Sequence, residues 1–88
     1  MSWVYELSAA AIRDLKDLGP SASKKVTDYL DKRIASGAHP KLWADPYRGD
    51  LHGFWKIRIG EYRAVARLHE NVLLVEVVKV GNRRDVYD

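Results

Sequence analysis

Residues 54–68 restrict the possible folds of this chain more than any other segment. Apolar and polar side chains alternate over Phe54–Ile59 and again over Tyr62–Leu68, which is the period-two pattern of half-buried β-strands. Gly60-Glu61 lies between the two runs, and glycine supplies the positive φ that the first central position of a type II′ turn requires. The segment therefore predicts a β-hairpin closed by a two-residue turn.

A two-residue turn also determines which residues of the hairpin face each other. The predicted register pairs Ile59 with Tyr62, Arg58 with Arg63, Ile57 with Ala64 and Lys56 with Val65. Opposed like charges destabilise a strand pair, by an amount within the roughly 0.2–1 kcal/mol range of cross-strand pairs. We therefore expect an anion, most naturally a phosphate, to lie over Arg58 and Arg63. Glu76 is the only acidic neighbour that this register predicts for the basic face.

The first half of the chain carries the pattern of two helices. Ser8 is a suitable N-cap for a helix over Ala9–Leu18, and Gly19-Pro20 ends it because glycine permits a left-handed exit and proline cannot continue the helix. A second helix begins near Ser21 and ends at Ser36-Gly37, with its apolar residues at helical spacing. The two segments predict a helical hairpin.

Two further strands complete the predicted fold. Trp3–Leu7 alternates like a short strand, and Val72–Val80, which follows a turn near His69–Asn71, is the most β-branched segment of the chain. Ser36–Asp50 is loop-like and separates the helical half from the strand half. The order β-α-α-β-β-β predicts an α+β fold in which an antiparallel sheet packs on an N-terminal helical hairpin. We expect residues 1–88 to form one domain.

Composition limits the classes of protein that remain. The 88 residues include no cysteine, so neither a disulfide framework nor a thiolate zinc site can form and packing must supply the stability. A hydrophobic fraction of 47% is enough for one small core. The chain has neither the pattern of a signal peptide nor an apolar run long enough to span a membrane. We therefore expect a cytoplasmic protein with no membrane partner.

The histidines do not indicate a metal site, and the net charge leaves the class of partner open. His39, His52 and His69 lack the spacing of metal ligands, and a structural or solvated role is favoured for each. The net charge of +3 is compatible with a nucleic-acid or acidic protein partner. We expect no metal site and no cofactor.

Further basic residues extend the charge beyond the hairpin strands. Arg67 lies farther along the return strand, and Arg83 and Arg84 follow Gly81, which allows the chain to turn after the last strand. Tyr87 adds a phenol that could stack on a base or exchange a proton. Basic residues are also common on any solvated sheet face, and chain termini are frequently disordered. The charge pattern by itself therefore leaves a binding role and a solvation role open.

Two segments carry a resemblance to a known family. Residues 51–65, LHGFWKIRIGEYRAV, and residues 78–87, VKVGNRRDVY, resemble the RelE/ParE superfamily of toxins from type II toxin–antitoxin systems. The similarity extends over nearly the whole chain, and the β-α-α-β-β-β order is the architecture of that superfamily.

The resemblance to RelE-like members implies a ribosome-dependent endoribonuclease, or mRNA interferase. Such a toxin enters the ribosomal A site, cleaves messenger RNA with the substrate's own 2′-hydroxyl as nucleophile, inhibits translation and needs no metal. The residues that the family uses for catalysis fall on Lys56, Arg58, Arg63, Arg83 and Tyr87. The residues expected to bind RNA are Lys56, Arg58, Arg63, Arg67 and Arg84.

The resemblance also implies partners and an alternative activity. A cognate antitoxin, small and partly disordered, is expected to cover the basic site, and toxin and antitoxin together are expected to bind operator DNA through the antitoxin. ParE-like members share the fold but inhibit DNA gyrase and have no nuclease activity, so gyrase inhibition is the alternative. An inactive homologue that binds only an antitoxin and DNA is a third possibility. The joint presence of the five catalytic-type residues favours the ribonuclease.

Overall fold

The chain forms two helices and a five-stranded sheet. The structure is a computed structural model that describes residues 2–86. Its elements are β1 (Val4–Leu7), α1 (Ala9–Leu18), α2 (Pro20–Ala35), β2 (Asp45–Pro46), β3 (Trp55–Ile59), β4 (Tyr62–His69) and β5 (Leu74–Asn82). Single-turn 3₁₀ helices at Pro40–Leu42 and Gly49–Leu51 flank β2. The predicted α+β class, with a helical hairpin packed on a sheet, is confirmed.

The helix boundaries follow from the capping residues. Ser8 Oγ accepts a hydrogen bond from the Ala11 amide at 3.0 Å, which satisfies one of the donors left free at the start of α1. Gly19 adopts a φ of 99° between the two helices, a conformation that costs a non-glycine residue strain. Pro20 then occupies the first turn of α2, where its missing amide proton removes no helical bond.

The sheet has the order β1-β5-β4-β3-β2. Strands β3, β4 and β5 form the predicted antiparallel meander. The sheet as a whole is mixed, because β1 pairs with β5 in parallel and β2 adds a short antiparallel edge to β3. The segment predicted as loop therefore contains a strand of two residues, too short to produce any periodic pattern.

The predicted hairpin register is confirmed at all four pairs, including Arg58 with Arg63. Gly60 has a φ of 60°, as the turn requires. Farther along, Val65 pairs with Lys79 whereas Ala66 pairs with Val77. Val78 is therefore an extra residue in β5, and this bulge changes the alternation of the strand.

The last strand begins two residues later than the sequence predicts. Leu73 has a φ of 54°, so the turn extends to this residue and β5 starts at Leu74. Val72, which was assigned to the strand by its β-branched side chain, lies in the turn and is 61% exposed. The β-branched composition of this segment gives no sign that Leu73 adopts a positive φ.

Both long helices pack on the same face of the sheet, and no helix covers the opposite face in residues 2–86. Val26 and Leu30 of α2 pack with Ile57, Ala64 and Val77 in one buried cluster. Neither of the two helices that the structure describes has the length and apolar character needed to cross a membrane.

Two polar contacts connect the helices to the sheet. The Tyr5 hydroxyl donates to the Asp31 carboxylate at 2.8 Å, which joins β1 to α2. The Val80 amide donates to the Asp14 carboxylate at 2.9 Å, which joins β5 to α1. Both contacts hold the helical layer in place beneath the sheet.

Candidate functional site

The candidate site lies on the sheet face that the helices do not cover, here called the open face. Ile57 and Ala64 point into the core, so their neighbours along β3 and β4 point the opposite way. In-register pairs share a face, and the strand pairings extend the open face across β2 and β5. The open face includes Asp45, Lys56, Arg58, Arg63, Val65, Arg67, Glu76 and Lys79.

The two opposed arginines do not point at each other. One guanidinium nitrogen of Arg63 donates to the carbonyl oxygens of Gly60 and Tyr62, at 3.1 and 3.0 Å. Arg58 Nε lies 3.6 Å from a carboxylate oxygen of Asp45. These contacts reduce the repulsion between the arginines. The protein therefore supplies acceptor groups for both arginines itself, and a bound anion over the pair stays a prediction.

Asp45 also corrects the predicted surroundings of the basic face. The expectation that Glu76 is the only acidic neighbour is wrong, because Asp45 on β2 pairs in register with Lys56. Glu76 does lie beside the basic residues, in register with Arg67. The sequence could not reveal Asp45, because β2 contains only this residue and Pro46 and lies in a segment with loop composition.

The segment after β5 folds back onto the hairpin turn. The Arg83 amide donates to the Glu61 carbonyl oxygen at 2.8 Å. Val86 is buried and packs so closely on Gly81 that a Cβ added there would lie 2.6 Å from Val86 Cγ2. The backbone up to Val86 is therefore anchored, and it holds Arg83 and Arg84 beside the turn.

The structure brings together some of the predicted site residues and separates others. Arg58, Arg63 and Arg83 lie at the turn end of the β3–β4 hairpin. Lys56 is two residues from Arg58 on the same face, about 7 Å along the strand. Arg67 is four residues from Arg63, about 14 Å away, and belongs to a different part of the face. We call Lys56, Arg58, Arg63 and Arg83 the cationic cluster.

The other two predicted residues have different positions. Arg84 is exposed next to Arg83 and lines, with it, a surface depression completed by Glu61, Asn82 and Asp85. Tyr87 lies outside the described residues.

Aromatic rings support two of the cations of the open face. Lys56 Nζ lies 5.9 Å from the centre of the Tyr47 ring, and the Arg67 guanidinium carbon lies 4.6 Å from the centre of the Phe54 ring. The Tyr47 amide donates to the Phe54 carbonyl oxygen at 3.0 Å, which closes the loop between β2 and β3. No local pattern in the sequence pairs these rings with particular cations.

Tyr5 and Glu70, which lie outside the cationic cluster, have displaced pKa values among the described residues. Burial, followed by the hydrogen bond to Asp31, raises the pKa of Tyr5 to about 12. The Lys41 ammonium, 2.6 Å away, lowers the pKa of the exposed Glu70 carboxyl. Both groups contribute to structure and do not face the cationic cluster.

The histidines have the structural or solvated surroundings that the sequence favours. His39 contacts the edge of Trp3, with ring centres 5.1 Å apart, and its Nδ1 accepts from the Lys41 amide. His69 Nε2 lies 3.0 Å from a Glu76 carboxylate oxygen. His52 is exposed.

The cationic cluster is suited to a phosphodiester. Guanidinium groups donate in a planar fork that matches two phosphate oxygens, and an ammonium adds a point charge. Donors held in place before charge develops can stabilise a reaction in which the phosphate becomes more negative. The site can therefore bind the backbone of a nucleic acid and stabilise negative charge on one phosphate.

Comparison with known families identifies the class of protein. Residues 5–87 match the sequence model of the ParE toxin of the type II toxin–antitoxin system, parDE. The chain belongs to this family of toxins. The predicted membership in the RelE/ParE superfamily is thereby confirmed.

Individual relatives include toxins with other names. Toxin RelG of Mycobacterium tuberculosis (strain ATCC 25618 / H37Rv) is 26% identical over 87 residues, which are 99% of this toxin and 98% of RelG. In the crystal structure of the toxin–antitoxin complex RelBE2 from Mycobacterium tuberculosis, the matched chain has a TM-score of 0.82 and 24% identity, and the match covers 94% of this toxin and 100% of that chain. YafQ from E. coli strain BL21(DE3) has a TM-score of 0.68 and 15% identity, over 98% and 99% of the two chains. The structural similarities confirm the fold.

Proposed function

We propose that this toxin is a ribosome-dependent endoribonuclease that cleaves messenger RNA in the A site and so inhibits translation. The observation that carries the proposal is the convergence of Arg58, Arg63 and Arg83 on one hairpin turn, with Lys56 beside them. If these arginines served only to keep the sheet face solvated, Arg83 would not need to be held beside the hairpin by the segment that follows β5. The similarity to RelG supports the same branch.

The proposed reaction is an in-line displacement at one phosphorus. The 2′-hydroxyl oxygen forms a bond to the adjacent phosphorus, and the bond to the 5′-oxygen of the next nucleotide breaks. The 2′-proton passes to a base, and the leaving 5′-oxygen takes up a proton. The products are therefore a 2′,3′-cyclic phosphate and a 5′-hydroxyl end.

Each member of the cationic cluster has a role in this reaction. Arg63 binds the non-bridging oxygens of the scissile phosphate, and Arg58 shares the negative charge that develops on them. Arg83 stabilises the leaving oxygen. Lys56 or Tyr87 accepts the 2′-proton. Amines and phenols are mostly protonated at neutral pH, so this chemistry is slow unless the ribosome orients the RNA for attack.

Asp45 acts on this site as a positioning residue. Its carboxylate lies 3.6 Å from Arg58 Nε and holds the arginine at the β2 edge before RNA binds. A phosphate carries the same charge as this carboxylate and competes for the same donors. Binding of RNA therefore draws Arg58 from Asp45 towards the scissile phosphate.

We infer that a cognate antitoxin is the protein partner. The matched chain of the RelBE2 structure is part of a toxin–antitoxin complex, and the matched family is defined by such a system. A small antitoxin with a partly disordered, acidic segment would neutralise the open face and bring the toxin to operator DNA. We expect the toxin to act in the cytoplasm, where messenger RNA and ribosomes are found.

In-vitro translation tests the proposal. The toxin is added to purified ribosomes that translate a defined messenger, and the RNA ends are mapped. Cuts in A-site codons are expected, and they should vanish for the variant that combines Arg63→Ala with Arg83→Ala. Arg13→Ala is the matched control, because Arg13 is an exposed arginine on α1. Intact messenger with a folded, toxic protein would contradict the proposal.

Inhibition of DNA gyrase is the second candidate, because the matched sequence model is that of the ParE toxin. The same protein preparation is added to a gyrase supercoiling reaction. Loss of supercoiling together with intact messenger would establish the alternative. The ribonuclease proposal expects supercoiling to continue at the toxin concentration that cleaves messenger RNA.

A further inference from the structure

A second cationic feature lies on the open face, outside the cationic cluster. The Arg67 guanidinium carbon sits over the Phe54 ring, 4.6 Å from its centre. Phe54 is held in turn by the hydrogen bond between its carbonyl oxygen and the Tyr47 amide. An exposed arginine normally samples many rotamers, whereas the ring beneath Arg67 favours one position of its guanidinium.

The position of Arg67 separates its role from that of the phosphate-binding residues. Arg63 and Arg67 point from the same face of β4 and lie about 14 Å apart. Their guanidinium groups are also held in different places, because Arg63 donates to carbonyl oxygens of the turn and Arg67 lies over the Phe54 ring, so one phosphate does not contact both arginines in this arrangement. A single-stranded RNA that places its scissile phosphate at Arg63 and follows β4 brings a flanking nucleotide to Arg67.

A guanidinium supported by a ring is a surface on which a nucleobase can stack. Arginine is flat and weakly hydrated compared with lysine, and unpaired RNA bases commonly stack on arginine or aromatic planes. Arg67 is exposed, so its outer side is accessible while Phe54 supports the inner side. The arrangement fits the flat face of a base better than it fits another phosphate.

Glu76 is placed to contact the edge of such a base. It pairs in register with Arg67, and one of its carboxylate oxygens lies 3.0 Å from His69 Nε2. Side chains of this pair are 38% exposed, so the carboxylate is held in place and still reaches solvent. An ionised carboxylate only accepts hydrogen bonds. It therefore favours a base that presents an exocyclic amino group.

We propose that Phe54, Arg67 and Glu76 form a binding site for one unpaired nucleobase that flanks the scissile phosphate. We call it the base site. It prefers cytosine, adenine or guanine, which carry an exocyclic amino group, over uracil, which carries none. The proposal rests on the proposed ribonuclease function, because it names the part of the RNA that lies beside the cationic cluster.

The first experiment measures binding without the ribosome. Fluorescence anisotropy gives the affinity of the whole toxin for oligocytidylate and oligouridylate of equal length, so that the two probes carry equal charge. Wild type should bind oligocytidylate more tightly, by roughly fivefold or more. Glu76→Gln should bring the two affinities together, because an amide offers both a donor and an acceptor.

Two further variants test stacking, and one serves as a control. Phe54→Leu and Arg67→Lys retain an apolar side chain and a positive charge, respectively, but lose a stacking plane. Each variant should lower the affinity for both probes by roughly tenfold. Lys79→Gln removes a cation of β5 from the open face. This variant should lower the affinity for both probes and leave the ratio of the two affinities unchanged. Circular dichroism and thermal melting confirm that each variant is folded.

The outcomes distinguish the base site from the ribonuclease proposal. Equal wild-type affinity for the two probes, a ratio that Glu76→Gln does not change, or stacking variants that bind like wild type would each overturn the base site. If wild type discriminates between the probes but cuts no messenger on the ribosome, the base site stands and the ribonuclease proposal fails. If wild type does cut, Glu76→Gln should increase the share of cuts that have uracil in the flanking nucleotide.

Discussion

At the scale of single residues, the contacts of each arginine in the hairpin are set by its immediate neighbours. Arg58 and Arg63 face each other across two strands, yet one contacts Asp45 and the other contacts carbonyl oxygens of the turn. The pair is therefore tolerated in the protein, because each arginine has acceptor groups of its own. In the proposed function, Asp45 therefore opposes RNA binding while it positions Arg58.

Asp45→Asn should increase the affinity for single-stranded RNA by a few fold at low salt, because the substitution removes a negative charge beside the cationic cluster. The free energy of unfolding should change by less than about 1 kcal/mol, since the ion pair with Arg58 is exposed. Fluorescence anisotropy and urea denaturation measure the two effects. Asp17→Asn on α1 makes the same change of charge elsewhere, and an equal gain in both variants would disprove the local effect.

Tyr5 should make the stability of the toxin dependent on alkaline pH. Its pKa is raised from an ordinary 10.0 to about 12, so the folded state favours the neutral phenol. Its contribution is complete below pH 10 and is lost as pH rises towards 12. The difference in melting temperature between wild type and Tyr5→Phe should therefore shrink over this interval.

Asp31→Asn provides the control for this pH dependence, because it removes the negative charge beside the Tyr5 hydroxyl and keeps a hydrogen-bond acceptor. In the Asp31→Asn background, the loss of melting-temperature difference between Tyr5 and Tyr5→Phe at alkaline pH should be smaller than in the wild type. A difference between wild type and Tyr5→Phe that stays constant from neutral to alkaline pH would show that the phenol does not titrate differently in the folded state.

At the scale of elements, the cationic cluster is assembled by one hairpin and by the segment that follows β5. The hairpin aligns Arg58 and Arg63 through a turn of two residues. Arg83 joins them because its amide donates to Glu61 and because Val86 is buried against Gly81. The position of Arg83 therefore follows from the β4–β5 pairing, in which Tyr62 faces Asn82, and from the packing of Val86 on Gly81.

Gly81→Ala should destabilise the toxin by about 1–3 kcal/mol, because the new methyl group would overlap the Val86 side chain. Displacement of the segment should also lower messenger cleavage, since Arg83 moves with it. Urea denaturation measures the first effect and the mapping of RNA ends measures the second.

Val86→Ala tests the cause of this destabilisation, since it removes the methyl group that an added Cβ would meet. In this background, the additional cost of Gly81→Ala should fall below half its value in the wild type. If the destabilisation by the two substitutions together equals the sum of their separate effects, the two residues are not in direct contact.

At the scale of the whole molecule, the fold separates a face that packs on the helices from the face that carries the proposed function. The helices bury one side of the sheet, and the other side carries the cationic cluster and the proposed base site. The net charge is only +3, so the proposed binding of RNA depends on where the positive charges are collected and less on their total number.

The affinity for single-stranded RNA should fall as salt is raised, with a slope of about 0.7 in log–log form for each phosphate contacted. Arg63→Ala should reduce this slope by about 0.7, whereas Arg13→Ala on α1 should leave it unchanged. Anisotropy titrations at several salt concentrations measure the slope. Equal reductions in the two variants would indicate diffuse attraction instead of a defined site.

Much of the fold followed from local patterns. Both helices, the hairpin and its register could be predicted, because capping residues, a glycine at a tight turn and period-two alternation act over a few neighbouring residues. The start of β5 was predicted wrongly, because Leu73 adopts a positive φ that its residue type does not indicate. The strand β2 was missed because two residues cannot show a period.

The sequence by itself determined that Arg58 faces Arg63, because a two-residue turn permits one register. The tertiary structure alone decided what surrounds that pair. Asp45 reaches Arg58 through a short strand that pairs with the edge of β3, and Arg83 is held beside the turn by its bond to Glu61 and by the packing of Val86 on Gly81. Such contacts join segments that are distant along the chain, so their energies depend on the completed fold and leave no local pattern in the sequence.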